Sequence, residues 1–97
     1  MYTVTKFAIE GLTKAMAVEL AHERIRVNSL CPTFIETDMT RHSLDDPDFK
    51  ALVLSRIKLG RIGTVEDLMG AAVFLASDAS SLMTGSSLLI DGGWTAG

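Results

Sequence analysis

Ile25-Arg26-Val27-Asn28-Ser29-Leu30-Cys31, closed by Pro32, is the stretch on which the fold turns. It opens with period-two alternation and stops at a residue that cannot donate to a sheet ladder, so it reads as a β-strand. Before it, Phe7, Ala8, Leu12, Ala15, Met16 and Leu20 recur at helical spacing, which predicts a helix over residues 2–23. Gly11 in that helix costs about 1 kcal/mol against Ala, and is expected to let another backbone come close. After the strand, residues 33–39 read as a loop. The carboxyl end of a strand is where open α/β sheets bind ligands. Thr33 and Thr37 offer hydroxyls there, which on pattern alone read first as turn chemistry.

The remaining chain alternates in the same way. Asp46-Pro47-Asp48 predicts a helix start that runs to about residue 57, with Phe49, Leu52, Val53 and Ile57 on one side. Residues 39–44 before it are expected to be irregular and mobile. Gly60-Arg61-Ile62-Gly63 lacks the spacing of a nucleotide-binding fingerprint and follows no strand, so it reads as a plain loop. Thr64 is expected to cap a helix reaching about residue 77 through Leu68, Ala71, Ala72 and Leu75. Asp78 is expected to cap a short turn over 79–82. Gly85 precedes a second strand at 86–90, which Asp91-Gly92-Gly93 ends, leaving 94–97 as a tail. The order is helix, strand, helix, helix, strand. Strands separated by helical crossovers predict an α/β fold with a parallel sheet. Two strands make a poor sheet alone, and parallel sheets want helices on both faces. The expected architecture is the end of a larger doubly wound domain.

Composition narrows the function classes. The chain has 97 residues, 47% hydrophobic and 22% charged, which fits one small globular domain and excludes disorder. Its net charge is −3 and its nine basic residues are scattered, which gives no nucleic-acid footprint. No apolar run approaches the ~20 residues of a membrane span, and no basic-then-apolar leader opens the chain. The single cysteine, Cys31, makes no internal disulfide, which fits a reducing, cytoplasmic setting. His22 and His42 stand alone, so no metal site is expected.

The chemistry-bearing stretch is Tyr2-Thr3-Val4-Thr5-Lys6. Residues four apart lie on one helix face. An ammonium beside a phenol lowers its pKa from about 10, and a helix N-terminus pushes the same way. Such a tyrosine can give a proton to a carbonyl oxygen or take one from an alcohol. Taken alone, the spacing more commonly marks a packed tyrosine beside a solvated lysine.

The whole chain nevertheless resembles the C-terminal portion of a short-chain dehydrogenase/reductase. The residues that carry the resemblance are Tyr2 to Lys6, Gly11-Leu12-Thr13-Lys14-Ala15, Val18-Glu19-Leu20-Ala21 and Ile25-Arg26-Val27-Asn28-Ser29. Pro32, Ile35-Glu36-Thr37-Asp38-Met39, Gly60-Arg61-Ile62-Gly63, Thr84-Gly85 and Ile90-Asp91-Gly92-Gly93 continue it in order. The resemblance implies a Rossmann-type fold, with residues 1–97 as the C-terminal portion of one domain, and an NAD- or NADP-dependent alcohol/carbonyl oxidoreduction. It makes Tyr2 the proton donor or acceptor. Lys6 lowers the tyrosine pKa and holds the nicotinamide ribose. Pro32, Ile35 and Thr37 match the loop around the nicotinamide. Thr33 stands where the family usually has glycine, which adds a β-carbon at a close approach. Thr5 replaces the commoner serine.

The family's glycine-rich phosphate loop and catalytic serine lie upstream of the tyrosine and have no counterpart in these 97 residues, so the isolated chain is expected to be inactive. An alternative is a non-catalytic assembly module that binds a full-length partner through residues 2–23, 65–77 and 86–90. The full-length form is expected to be a homo-oligomer. Residues 37–57 correspond to the variable substrate lid. Met39, Leu44, Phe49, Leu52 and Leu54 are apolar wall candidates, and Arg41 and His42 polar ones. The resemblance points to 3-oxoacyl-carrier-protein reductases and to sugar or polyol dehydrogenases alike. The residue that selects NAD or NADP lies upstream in the family.

Overall fold

The structure is a computed structural model that describes the backbone of all 97 residues and every side chain except that of Tyr2. In chain order the elements are α1 (Tyr2–Leu20), β1 (Ser29–Pro32), α2 (Asp38–Leu44), α3 (Pro47–Arg56), α4 (Glu66–Ala76) and β2 (Ser87–Ile90). Single 3-10 turns follow at Ala21–Glu23, Asp78–Ser80 and Trp94–Ala96. The fold is α/β, as the alternation predicts. β1 and β2 pair in parallel. Ser29 N–H donates to the Ser86 carbonyl at 2.9 Å, and Thr33 N–H donates to that of Ile90 at 3.3 Å, with the same offset along both strands. The chain divides into two compact units. One holds Met1–Leu30 and Ala71–Leu88, the other Cys31–Gly70 and Leu89–Gly97. Each strand begins in the first unit and ends in the second.

In the first unit, α1 buries a narrow stripe. Thr13 is 6% and Ala17 4% exposed, and Glu10 beside them is half-buried. Positions 10, 13 and 17 follow the helical repeat. Large apolar residues of the helical repeat lie outside this stripe, with Phe7 75% and Leu12 58% exposed. Within this unit α1 meets the strand segments and the turn at Gly85, and that meeting uses small and polar side chains. Thr13 folds its hydroxyl back onto the Ile9 carbonyl at 2.8 Å, and Lys14 Nζ donates to the Gly85 carbonyl at 3.1 Å. A β-carbon at Gly11 meets nothing within 4 Å among the described residues, so the expected close approach is not made there.

The strand starts later than the alternation predicts. Residues 25–28 run beside a turn rather than a strand, so their partners are irregular. Val27 N–H donates to Thr84 Oγ1 at 3.1 Å, and the Val27 carbonyl accepts from Gly85 N–H at 2.7 Å. Asn28 closes the same turn, donating to the Met83 carbonyl at 3.0 Å and accepting from Ser86 N–H at 3.1 Å. Arg26 is the main fastener of this unit. Its guanidinium donates to the carbonyls of Leu75 (2.8 Å), Ser77 (3.1 Å) and Met83 (3.2 Å), and to Ser80 Oγ (3.0 Å). A cation at the last carbonyls of α4 also suits the negative end of that helix. The turn after α4 is capped by Ser77, whose Oγ accepts from Ala79 N–H at 3.3 Å, and not by Asp78.

In the second unit, residues 39–44 form a capped helix where an irregular segment was expected. Thr37 is its N-cap: Oγ1 accepts from Thr40 N–H, while Thr40 Oγ1 accepts from Thr37 N–H at 2.9 Å and donates to the Ile35 carbonyl at 2.6 Å. Asp46 caps α3 by accepting from Asp48 N–H at 3.0 Å, with Pro47 at its first turn, as read from the sequence. At α4 the roles are reversed from expectation. The Asp67 carboxylate accepts from Thr64 N–H at 2.8 Å and from its hydroxyl at 3.2 Å. Val53 and Ile57, 2% and 3% exposed, form the apolar centre of this unit. Gly92, at φ +61°, lies against it. A β-carbon there would sit 2.7 Å from Ile57 Cγ2. Its carbonyl accepts from Leu59 N–H at 2.9 Å.

Candidate active site

The candidate proton-transfer residues, Tyr2 and Lys6, lie on the first turns of α1, and the nicotinamide-loop candidates lie in the second unit. Tyr2 is one turn before Lys6 by helical register, but the side chain of Tyr2 lies outside the described residues. Lys6 is exposed. Thr5 donates its hydroxyl to the Met1 carbonyl at 2.9 Å and so closes the first helical turn.

Pro32, Ile35 and Thr37 come together at the carboxyl end of β1, all half-buried. Pro32 is the last strand residue. Ile35 makes a parallel bridge with Gly63, flanked by bonds from Gly63 N–H to the Phe34 carbonyl (3.1 Å) and from Glu36 N–H to the Gly63 carbonyl (2.7 Å). An added β-carbon at Gly63 would sit 2.7 Å from Ile35 Cδ1, so glycine permits this approach. Thr37 spends its oxygen on the cap of α2. Thr33 uses its backbone in the ladder and its side chain borders a hollow of about 60 Å³ with Ile35, Ile57 and Leu59. That is room for a water or two.

A larger groove of about 370 Å³ opens between α2, α3 and residues 60–62. Its size falls in the small-molecule range. Of the lid candidates, Arg41, Leu44 and Leu54 line it, together with Lys50, Glu36 and Asp45. The others point elsewhere: Met39 is 89% and Leu52 55% exposed, His42 is exposed, and Phe49 packs its ring on Phe34 at 5.7 Å. Phe34 also stacks on Trp94 at 6.1 Å, so the predicted tail is tied down. Arg41 is held by Asp38 at 3.0 Å and Glu36 at 3.7 Å.

Two carboxylates of this unit are firmly ionised. The Arg61 guanidinium bonds both oxygens of Asp67 (2.7 and 2.8 Å). With Thr64 N–H, it holds that carboxyl far below the usual range. Arg61 is raised in turn. Asp91 accepts from the Thr95 hydroxyl (2.7 Å), Thr95 N–H (3.0 Å) and Gly93 N–H (2.9 Å), which lowers its pKa, the Thr95 hydroxyl most. Sequence reading missed one cluster on α1: Glu10 accepts from the hydroxyls of Ser29, at 2.8 Å, and Ser87. No local signal marks it, because the serines are 19 and 77 residues away. Among the described residues, no group of His, Cys, Asp and Glu could hold a metal, and no helix is long and apolar enough to cross a membrane.

Comparison with known proteins matches this arrangement. The family described as enoyl-(acyl carrier protein) reductase matches residues 1–95. The chain is 45% identical over 94 residues to D-erythrulose reductase of Gallus gallus, covering 97% of this chain and 38% of that protein. It is 50% identical over 94 residues to 3-oxoacyl-[acyl-carrier-protein] reductase of Chlamydia pneumoniae, covering 97% and 37%. A crystal structure of a gluconate 5-dehydrogenase from Burkholderia cenocepacia in complex with NADP and tartrate superposes with a TM-score of 0.94 at 42% identity, covering 99% of this chain and 38% of that one. The chain thus spans well under half the length of the relatives it matches.

Proposed function

The chain belongs to the short-chain dehydrogenase/reductase family, and from that premise we propose that it carries the proton-transfer part of an NAD(P)-dependent alcohol/carbonyl oxidoreductase. The observation that carries the reading is the Tyr2–Lys6 spacing on the opening turns of α1, in a chain matched to such enzymes along nearly its whole length. Tyr2 gives a proton to the carbonyl oxygen in reduction and takes it back in oxidation. The Lys6 ammonium favours the phenolate and so brings its pKa toward the working pH. NAD(P), when bound, supplies or accepts the hydride at the carbonyl carbon.

The donor set fits the nicotinamide-ribose end of that cofactor. Lys6 is exposed, and an ammonium is a donor of the kind a ribose diol accepts from. Pro32, Ile35 and Thr37 form a half-buried loop at the carboxyl end of a parallel strand, where such folds bind nucleotides. The pyrophosphate has no glycine-rich turn to sit on within these 97 residues, so the isolated chain does not turn over. The substrate is a small carbonyl or alcohol, of the 3-oxoacyl or sugar and polyol kinds, and the full-length form is a homo-oligomer. A second reading, a non-catalytic module that assembles with a full-length partner, draws on the exposure of Val4 (67%), Phe7 (75%) and Val18 (78%) along α1.

The test joins intact mass to activity. The native polypeptide, immunocaptured from its source and weighed by mass spectrometry, is expected to be about two and a half times longer than this chain, on the coverage of its relatives. It should oxidise NADH or NADPH with a carbonyl substrate, and Tyr2→Phe should abolish that. A native species of 97 residues without turnover favours the assembly reading. Turnover by the isolated 97 residues that Tyr2→Phe abolishes overturns the claim that the chain alone is inactive.

A further inference from the structure

We infer that Thr40 is a positioning residue for the cofactor loop, its hydroxyl holding Ile35 and Thr37 in the shape offered to the nicotinamide end of NAD(P). This rests on the reading of Pro32, Ile35 and Thr37 given above. The segment 34–37 follows the carboxyl end of β1, and its backbone groups face two edges in turn. In extended chain the N–H and C=O of one residue point to one side and those of the next residue to the other. Phe34 and Glu36 face residue 63. The Phe34 carbonyl accepts from Gly63 N–H at 3.1 Å, and Glu36 N–H donates to the Gly63 carbonyl at 2.7 Å. Ile35 and Thr37 face the opposite edge, where Thr40 stands on the first turn of α2. All of these residues belong to the second unit.

Thr40 meets that edge with a single atom. Its hydroxyl donates to the Ile35 carbonyl at 2.6 Å and accepts from Thr37 N–H at 2.9 Å. A hydroxyl can do both, because it is a donor and an acceptor at once. The two bonds span the backbone from Ile35 to Thr37, so they fix the bend at which the loop leaves the Gly63 edge and enters α2. The Thr37 side chain is held in the same knot, since its Oγ1 accepts from Thr40 N–H at 3.4 Å. Thr40, Ile35 and Thr37 are all half-buried, which shelters these bonds from competing water. Without the hydroxyl, a carbonyl and an N–H of the loop lose their partner, and a sheltered polar group costs more unmade than it gains when made. The bonds to Gly63 remain, so the loop keeps its place and loses its bend. A nicotinamide ring set against a loop of the wrong shape is held less tightly and less squarely.

The test is made in the native-length polypeptide that shows activity, and its first readout needs no cofactor. Thr40→Val keeps the outline of the side chain and removes the hydroxyl. Amide exchange at Thr37 in the cofactor-free protein should quicken by about tenfold, the size expected for one lost hydrogen bond. Kd for NADPH, or for NADH if the parent oxidises that instead, should rise by about tenfold on titration by nicotinamide fluorescence. KM for the carbonyl substrate should stay within about twofold. Thr40→Ser restores both donor and acceptor and should return exchange and Kd to within about threefold of the parent. Thr40→Ala removes the same hydroxyl and carries the test if the valine variant does not fold. Asp38→Ala loosens the same helical turn by losing the Arg41 pair, leaves the loop bonds alone, and should keep Kd within about twofold. Unchanged exchange at Thr37, an unchanged Kd, no recovery in Thr40→Ser, or a Kd raised as far in Asp38→Ala overturns the positioning role alone. In the parent, the cofactor should slow exchange across residues 33–37, and no slowing there overturns the reading beneath it.

Discussion

Replacing Gly92 by alanine should cost this chain a large share of its stability, through two separable effects. At φ +61° an L-residue carries backbone strain of about 1–2 kcal/mol. The new β-carbon would also lie 2.7 Å from Ile57 Cγ2, on a β-branched side chain that is 3% exposed and cannot swing away. Overpacking of that kind costs about 1–3 kcal/mol. Rotation of the peptide gives no relief, because Leu59 N–H holds the Gly92 carbonyl at 2.9 Å. The total is about 2–5 kcal/mol, against the 5–15 kcal/mol typical of a folded domain. Urea unfolding followed by the fluorescence of Trp94, the single tryptophan and two residues away, reads the loss directly. Ile57→Leu separates the effects, since it removes the Cγ2 branch at nearly constant volume. The double variant should recover about 1–3 kcal/mol relative to the sum of the singles, leaving only the strain. A cost below about 0.5 kcal/mol for Gly92→Ala, or additivity within that margin, would refute the overlap argument.

Two further outcomes follow from the same contacts. Asp67 and Asp91 both have pKa values lowered by hydrogen bonds made in the folded state, so their stabilisation is complete above the unfolded carboxyl value of about 4 and is lost as pH falls toward the folded values. Urea midpoints should therefore drop between pH 5 and pH 2.5, and Asp91→Asn should reduce that drop; an unchanged pH slope in Asp91→Asn would contradict the assignment. Arg26→Lys should destabilise the first unit by about 1–3 kcal/mol, because one ammonium cannot span the carbonyls of Leu75, Ser77 and Met83 together. Thermal unfolding of Arg26→Lys indistinguishable from the parent would show that the fork is not needed.

What could be read from the chain in advance was what is local. The α1 helix, the Asp46-Pro47 start of α3 and the Tyr2–Lys6 spacing all depend on residues within a turn of one another. The Thr37–Thr40 cap was missed for a chemical reason: the usual capping box places Glu or Gln at the third position, and here the Thr40 hydroxyl takes that place. The early part of the strand was misread because Ile25 and Val27 alternate as strand residues do, while the segment opposite them is the turn at Thr84 and Gly85. The stripe of α1 that this chain buries, Thr13 and Ala17, was not legible, because hydrophobic periodicity reports every surface a helix could bury. It does not report the one that a given stretch of chain covers. Glu10 and Arg26 were invisible for the opposite reason. Their partners lie 19 to 77 residues away, and no spacing rule reaches that far.

The parallel pairing of β1 with β2 also sets a timetable for the growing chain. Ser29 and Ser87 are 58 residues apart, so at about 5–20 residues per second β1 leaves the ribosome about 3–12 s before its partner exists. Helix formation takes about a microsecond, so α1 is complete long before then. For those seconds Glu10 and Ser29 have no Ser87 to close on. The strand pair is in effect a late-closing clasp, and Glu10 on α1 waits for the last quarter of this chain before its second serine arrives.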